Sequence, residues 1–188
     1  MPFPTAAIVP AIKTAGAIAD ALSKMTSSEP NPPAGLTGKS HWLTMTVFNQ
    51  TQYELVFQSA YFDSGRFWTG PTNVPPFESM TFSGCESDGS IMTGVSGGVQ
   101  FSIAIPNNAQ QFSAGFSNPE IGAYKASVVA GGTPQAAYNA IDNSTISASI
   151  GPIQGTDTNN KSVTMKFSLV SSPGPEASVT VTQQVLGD

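Results

Sequence analysis

Cysteine occurs once in the 188 residues, as Cys85, so no disulfide can form within the chain and stability must come from packing. Histidine also occurs once, as His41. No second nitrogen or sulfur ligand stands at metal-site spacing from it, so a zinc centre is not expected, and most hydrolase mechanisms lose their usual general base. Charge is equally scarce. Only 10% of residues are charged, seven of them Lys or Arg, and the net charge is -5. Seven scattered basic residues make no phosphate-binding stripe, which argues against nucleic acid as a partner and against simple capture by anionic lipid. No apolar run approaches the roughly 18 residues that a membrane-spanning helix needs. The opening "MPFPTAAIVP" lacks the basic start and small-residue cleavage site of a secretory signal. The expectation is a protein secreted or released without a recognisable signal peptide.

What the chain has instead is neutral polarity. Ser, Thr, Asn, Gln and Gly carry its solubility, a balance that suits a β-rich protein meeting membranes or extracellular surfaces better than a cytosolic enzyme. The length is enough for one domain with a closed core. From residue 41 onward, short runs rich in β-branched and aromatic residues alternate with turn signals, the pattern of an antiparallel β-sandwich or barrel. Candidate strands lie at 42–48, 54–61, 79–83, 99–105, 125–129, 146–150, 162–170 and 177–185. In the last of them Val179 and Val181, with Val185, face one way and Thr180, Thr182 and Gln184 the other. One short helix interrupts the strands near 133–142, with Thr133 as N-cap and Pro134 at its first position.

The most helix-like apolar segment stands apart, at residues 6–25, "AAIVPAIKTAGAIADALSKM". At about 100° per residue, Asp20 and Lys24 fall within about 20° of Lys13, so its three charges share one face. Ile8, Ala11, Ile12, Ala15, Ile18, Ala19 and Leu22 gather opposite. Gly16 lowers isolated helicity by about 1 kcal/mol relative to Ala. Residues 26–40, "TSSEPNPPAGLTGKS", cannot continue a helix and read as a linker. The segment is therefore tethered: it either packs on the sheet or docks reversibly and delivers its apolar face to a membrane.

Three further stretches bear on function: "TVFNQTQYELVFQSAYFDSG", "NVPPFESMTFSGCESDGSIMTGVSGGVQFSIAI" and "FSNPEIGAY". They contain an aromatic pair before Ser-Gly (Tyr61, Phe62, Ser64, Gly65), a Val-Pro turn (Val74, Pro75), Thr-Gly-Val opening a strand (Thr93, Gly94, Val95) and a Phe-Ser-x-Pro turn (Phe116, Ser117, Pro119). In order and spacing, over roughly residues 6–142, they resemble the sea-anemone actinoporins and their wider relatives, disulfide-free pore-forming cytolysins. That resemblance implies a β-sandwich flanked by two helices, lipid binding, assembly of a soluble monomer into a membrane homo-oligomer, and insertion of the N-terminal helix to line an ion-conducting pore. Carried over by position, it implies a choline-headgroup site at Ser64, Ile91, Ser117, Pro119, Tyr124 and Tyr138. It also implies a pore-lining helix at residues 6–25, with Lys13, Asp20 and Lys24 towards the lumen. Quaternary ammonium groups are held by aromatic faces, with neighbouring hydroxyls free to serve a phosphate.

The chain departs from that family in lacking a tryptophan-rich run after the Phe-Ser-x-Pro turn and in having one tyrosine, Tyr138, in its second helix. A glycolipid or protein receptor therefore stands beside a choline lipid as the partner. Arg66, Phe67 and Trp68 fall in an expected loop, where exposed rings suit a bilayer interface; alternatively the rings fold back over the sandwich edge. Cys85 is expected in a turn whose acidic neighbours raise its pKa, which argues against a catalytic thiolate. Asp63, Glu86 and Asp88 lack the alternating oxygens of a calcium loop and read as a solvated turn. No cofactor and no enzymatic activity are expected. The rival readings are a glycan-binding lectin of the fungal fruit-body type, which needs no tethered helix, and an adhesive sandwich assembling through its N-terminal segment.

Overall fold

The computed structural model describes residues 31–89, 93–156 and 161–186. The expected N-terminal helix, with Lys13, Asp20 and Lys24, and the expected headgroup residue Ile91 lie outside the described residues. What is described is mainly β, in two sheets packed as a sandwich. The first sheet has six strands, β1 (Trp42–Gln50), β3 (Arg66–Thr69), β4 (Ser79–Cys85), β8 (Ile146–Thr156), β9 (Ser162–Ser172) and β10 (Glu176–Leu186), in the order β3-β4-β1-β10-β9-β8. The second has β2 (Leu55–Ser64), β5 (Val95–Ile103), β6 (Gln110–Asn118) and β7 (Lys125–Ala130), in the order β2-β5-β6-β7. Within the sheets pairing is antiparallel except between β1 and β10, which run parallel with Val47 opposite Val179.

Alternation along each strand builds the core. Leu43, Met45 and Val47 of β1, Val163, Met165, Phe167 and Leu169 of β9, and Ala177, Val179 and Val181 of β10 turn inward and are buried. They meet Val99, Phe101 and Ile103 of β5 and Phe112, Ala114 and Phe116 of β6. At one end the two sheets are joined ring to ring: Phe82 packs 5.6 Å from Phe116, which in turn lies 5.8 Å from Phe62. Edge-to-face geometry of this kind adds to the area that each ring removes from water.

All eight expected strands are present, several of them longer than expected. Two strands were not anticipated. The first is β6, where the Phe-Ser-x-Pro motif proves to be strand as far as Asn118, with only Pro119 leaving it. The second is β3, which replaces the expected loop at Arg66, Phe67 and Trp68. The alternation of β3 separates those three residues. Phe67 turns into the core, 4.7 Å from Phe62 and 5.9 Å from Phe82, while Arg66 and Trp68 face away from it. Cys85 is likewise not in a turn: it ends β4, fully buried, and burial is the leading cause that pushes its thiol up.

The short helix, α1 (Pro134–Asn139), begins as its sequence dictates, with Thr133 Oγ1 accepting from the N–H of Ala136 at 3.1 Å. It ends before Asp142, whose backbone bridges to Ala126 at the start of β7. α1 lies against the four-stranded sheet, and Ser127 Oγ of β7 donates to the Ala137 carbonyl.

Candidate headgroup cleft

At the end of the four-stranded sheet where β2 finishes and β5 begins, the chain forms an open cleft of about 470 Å³. β2 delivers Asp63 and Ser64, β5 Ser96 and β6 Ser117; Pro119 to Gly122 form one lip, Lys125 opens β7, and α1 supplies Tyr138. A β-bulge sets the first of these contacts. Phe62 pairs with Gly97 and Ser64 with Ser96, so Asp63 is the extra residue between them. A bulge re-aims side chains that regular alternation would send to opposite faces, and here consecutive Asp63 and Ser64 both line the cleft.

The polar groups form one chain. Ser64 Oγ lies 3.0 Å from Ser96 Oγ, which donates to Asp63 Oδ2 at 3.5 Å. The Tyr138 hydroxyl also meets Asp63; burial first, and then this carboxylate, push the phenol pKa up. The Tyr138 ring lies 5.8 Å from that of Tyr61, tilted by 45°. Lys125 also lines the cleft, paired across β6 and β7 with the buried Ser117, and Ile121, 86% exposed, stands on the lip. Four of the six residues named from the sequence, Ser64, Ser117, Pro119 and Tyr138, thus line a single cleft. Tyr124 is half-buried just ahead of β7 and is not among the lining residues. Asp63, Ser96, Glu120 and Lys125 were not picked out as site residues; the pairing of β2 with β5 and of β6 with β7 brings them in.

A second polar cluster lies where the chain enters β1. After the buried Leu36, residues 39–41 form a strap fastened to the end of β4. Asp88 Oδ1 accepts from Lys39 Nζ at 2.7 Å and Oδ2 from Arg66 Nη2 at 2.8 Å. Both cations also lie over the Trp68 indole, at 5.9 and 5.7 Å from its ring centre. Glu86 accepts from the backbone N–H of Ser40 at 3.0 Å and of His41 at 2.7 Å, and its Oε2 lies 3.2 Å from His41 Nδ1. The acidic trio weighed for calcium is thus divided between cleft and strap, and among the described residues no cluster suited to a metal ion is found.

Burial alone would raise the Glu86 pKa, but the Ser40 and His41 donors outweigh it and hold the carboxyl below its ordinary 4.5. A carboxyl depressed by folding stabilises above its unfolded pKa, and that contribution is lost as pH falls through the folded value. The strap's share of stability is therefore present at neutral pH and fades below about 4.5. Glu86→Gln should cost about 0.5–1.5 kcal/mol at neutral pH, lowering Tm by about 2–4 °C per kcal/mol. Thermal melts should also show the variant losing less stability on acidification than the parent; an equal loss would detach Glu86 from the acid response.

No protein-family model and no curated protein matches the chain. Among solved structures, the chain is similar to the crystal structure of the lipid-binding protein Nakanori, with a TM-score of 0.56 over 88% of this chain and 79% of that one. Identity is 12%, so the likeness defines a shared fold. Among the described residues no helix is long and apolar enough to cross a membrane.

Proposed function

We propose that this protein binds a membrane lipid headgroup in the cleft between Ser64, Ser117 and Tyr138. In this reading it is released as a soluble monomer, oligomerises on the target membrane and opens a pore with residues 6–25, without catalysing a reaction. The observation that carries it is the convergence of Ser64, Ser117, Pro119 and Tyr138. These residues were named together from an actinoporin-like pattern spread along the chain, and they line one cleft beside two tyrosine rings. The lipid binding named for the structural neighbour supports the same reading.

The chemistry of the cleft agrees. Aromatic faces and a carboxylate attract an ammonium, while Lys125 and the Ser117 hydroxyl suit a phosphate. The pore part rests on the terminal segment. A helix of about 20 residues reaches roughly 30 Å, the thickness of the hydrocarbon core, and one copy encloses no water, so several must assemble. Trp68 supports membrane contact more than Phe67 does, because only Trp68 faces away from the core.

Tyr138→Ala tests the cleft. Losing one desolvated cation–aromatic contact should weaken co-sedimentation with lipid vesicles roughly tenfold. A folded variant that sediments with vesicles as well as the parent would move the lipid site elsewhere.

A further inference from the structure

We propose that the cleft prefers a headgroup with a primary ammonium, of the phosphoethanolamine kind, over the quaternary ammonium of choline. This rests on the reading of the cleft as a headgroup site. The inference follows from what surrounds the cation position. A trimethylated nitrogen has no N–H to donate and gains only from aromatic faces; among the described residues the cleft lining has one, Tyr138, whose ring leans on that of Tyr61 beside it. Acceptors are better supplied. The exposed Asp63 carboxylate takes one hydrogen bond from Ser96 and one from the Tyr138 hydroxyl, and a carboxylate has about four acceptor positions. Ser64 and Ser96 add hydroxyl oxygens 3.0 Å apart, and Glu120 is a second carboxylate on the rim.

Three N–H donors on a primary ammonium match this set. A trimethylammonium would cover the same oxygens, strip their water and return no hydrogen bond, leaving polar groups unpaired. Among the described residues the lining has two carboxylates against one lysine, Lys125, so a zwitterion whose ammonium meets Asp63 and whose phosphate meets Lys125 balances better than an anionic lipid does.

The preference is measured by binding of the full chain to vesicles in which phosphatidylethanolamine is replaced in turn by its N-methyl, N,N-dimethyl and N,N,N-trimethyl forms. Charge stays constant along this series while N–H donors disappear. Affinity should fall with each methyl, by about tenfold or more over the series, and soluble phosphoethanolamine should compete better than phosphocholine. Asp63→Asn, whose fold is checked by its melting temperature, should bind the unmethylated lipid less well and flatten the series. Affinity that is level or rises with methylation overturns the preference but leaves the headgroup reading standing, as does an Asp63→Asn variant that keeps the full gradient. Binding to no member of the series sinks both.

Discussion

Removal of residues 1–25 should abolish dye release from vesicles and leave vesicle binding unchanged. The two activities divide because of where their parts lie. Among the described residues, those that line the cleft fall between Asp63 and Ile141, and the buried apolar core runs from Leu36 to Val181. Both are thus assembled from described residues that follow the segment to be removed. The amphipathic pattern required for a lumen, by contrast, occurs only there, with Lys13, Asp20 and Lys24 on one narrow face. The loss expected is therefore complete rather than graded. The same face allows a second readout on the intact protein: two lysines and one aspartate per copy give a weakly cationic lumen, far from the acidic rings that strong cation selectivity needs. Reversal potentials in a salt gradient should then be small. A truncated protein that releases dye as fast as the full chain would assign permeabilisation to the sandwich itself.

Gly115→Ala should lift α1 from the sheet and weaken lipid binding with it. α1 rests directly on the sheet: a Cβ at Gly115 would collide with the Ala137 carbonyl and come within 2.6 Å of Ser127 Oγ. At Gly98 the obstacle is the Pro134 carbonyl. Backbone atoms on both sides of a contact cannot step aside as a flexible side chain does, so the helix must lift. Overpacking of this kind costs about 1–3 kcal/mol, and Tyr138, next to Ala137, would leave its place beside Tyr61 and Asp63. The expected result is a folded protein with lowered Tm and a larger loss of vesicle affinity than Tyr138→Ala alone produces. Gly38→Ala is the control. Nothing lies within 4 Å of its added carbon, and its stability should stay within about 0.5 kcal/mol of the parent. Unaltered lipid binding in Gly115→Ala would mean that the helix does not hold the site together.

Most of the sandwich could be read from its amino acids because alternation leaves a strong imprint where large residues face the core, as in β9 and β10. It fails where the strand is built of small and polar residues. β6, "QQFSAGFSN", shows no clear apolar alternation and its end resembles a turn, yet it is central in its sheet; Gly115 is small because α1 lies directly above it, while Ala114 faces the core on the other side. β3 is four residues long and bounded by Gly65 and Gly70, too short for any period to register. The cleft was half legible. Ser64, Ser117, Pro119 and Tyr138 came from a family pattern, but Asp63 depended on a bulge, and a bulge breaks the alternation by which a strand's faces are assigned. Lys125 and Glu120 depended on strand pairing. Such partners are set by register between distant segments and have no local signature.

The strap has a mechanical consequence for the proposed pore. The linker of residues 26–40 is in effect shorter, because Leu36 is buried and Lys39, Ser40 and His41 are tied to Asp88 and Glu86. Within the described part of this stretch the Leu36 N–H also donates to the Pro33 carbonyl, so in the proposed pore reading the leash is residues 26–32 at most. Seven residues span at most about 25 Å. On the proposed reading, a leash of that reach would set the terminal segment's effective concentration at the sandwich at millimolar order, and docking and release would then compete within one molecule, independently of how much protein is present.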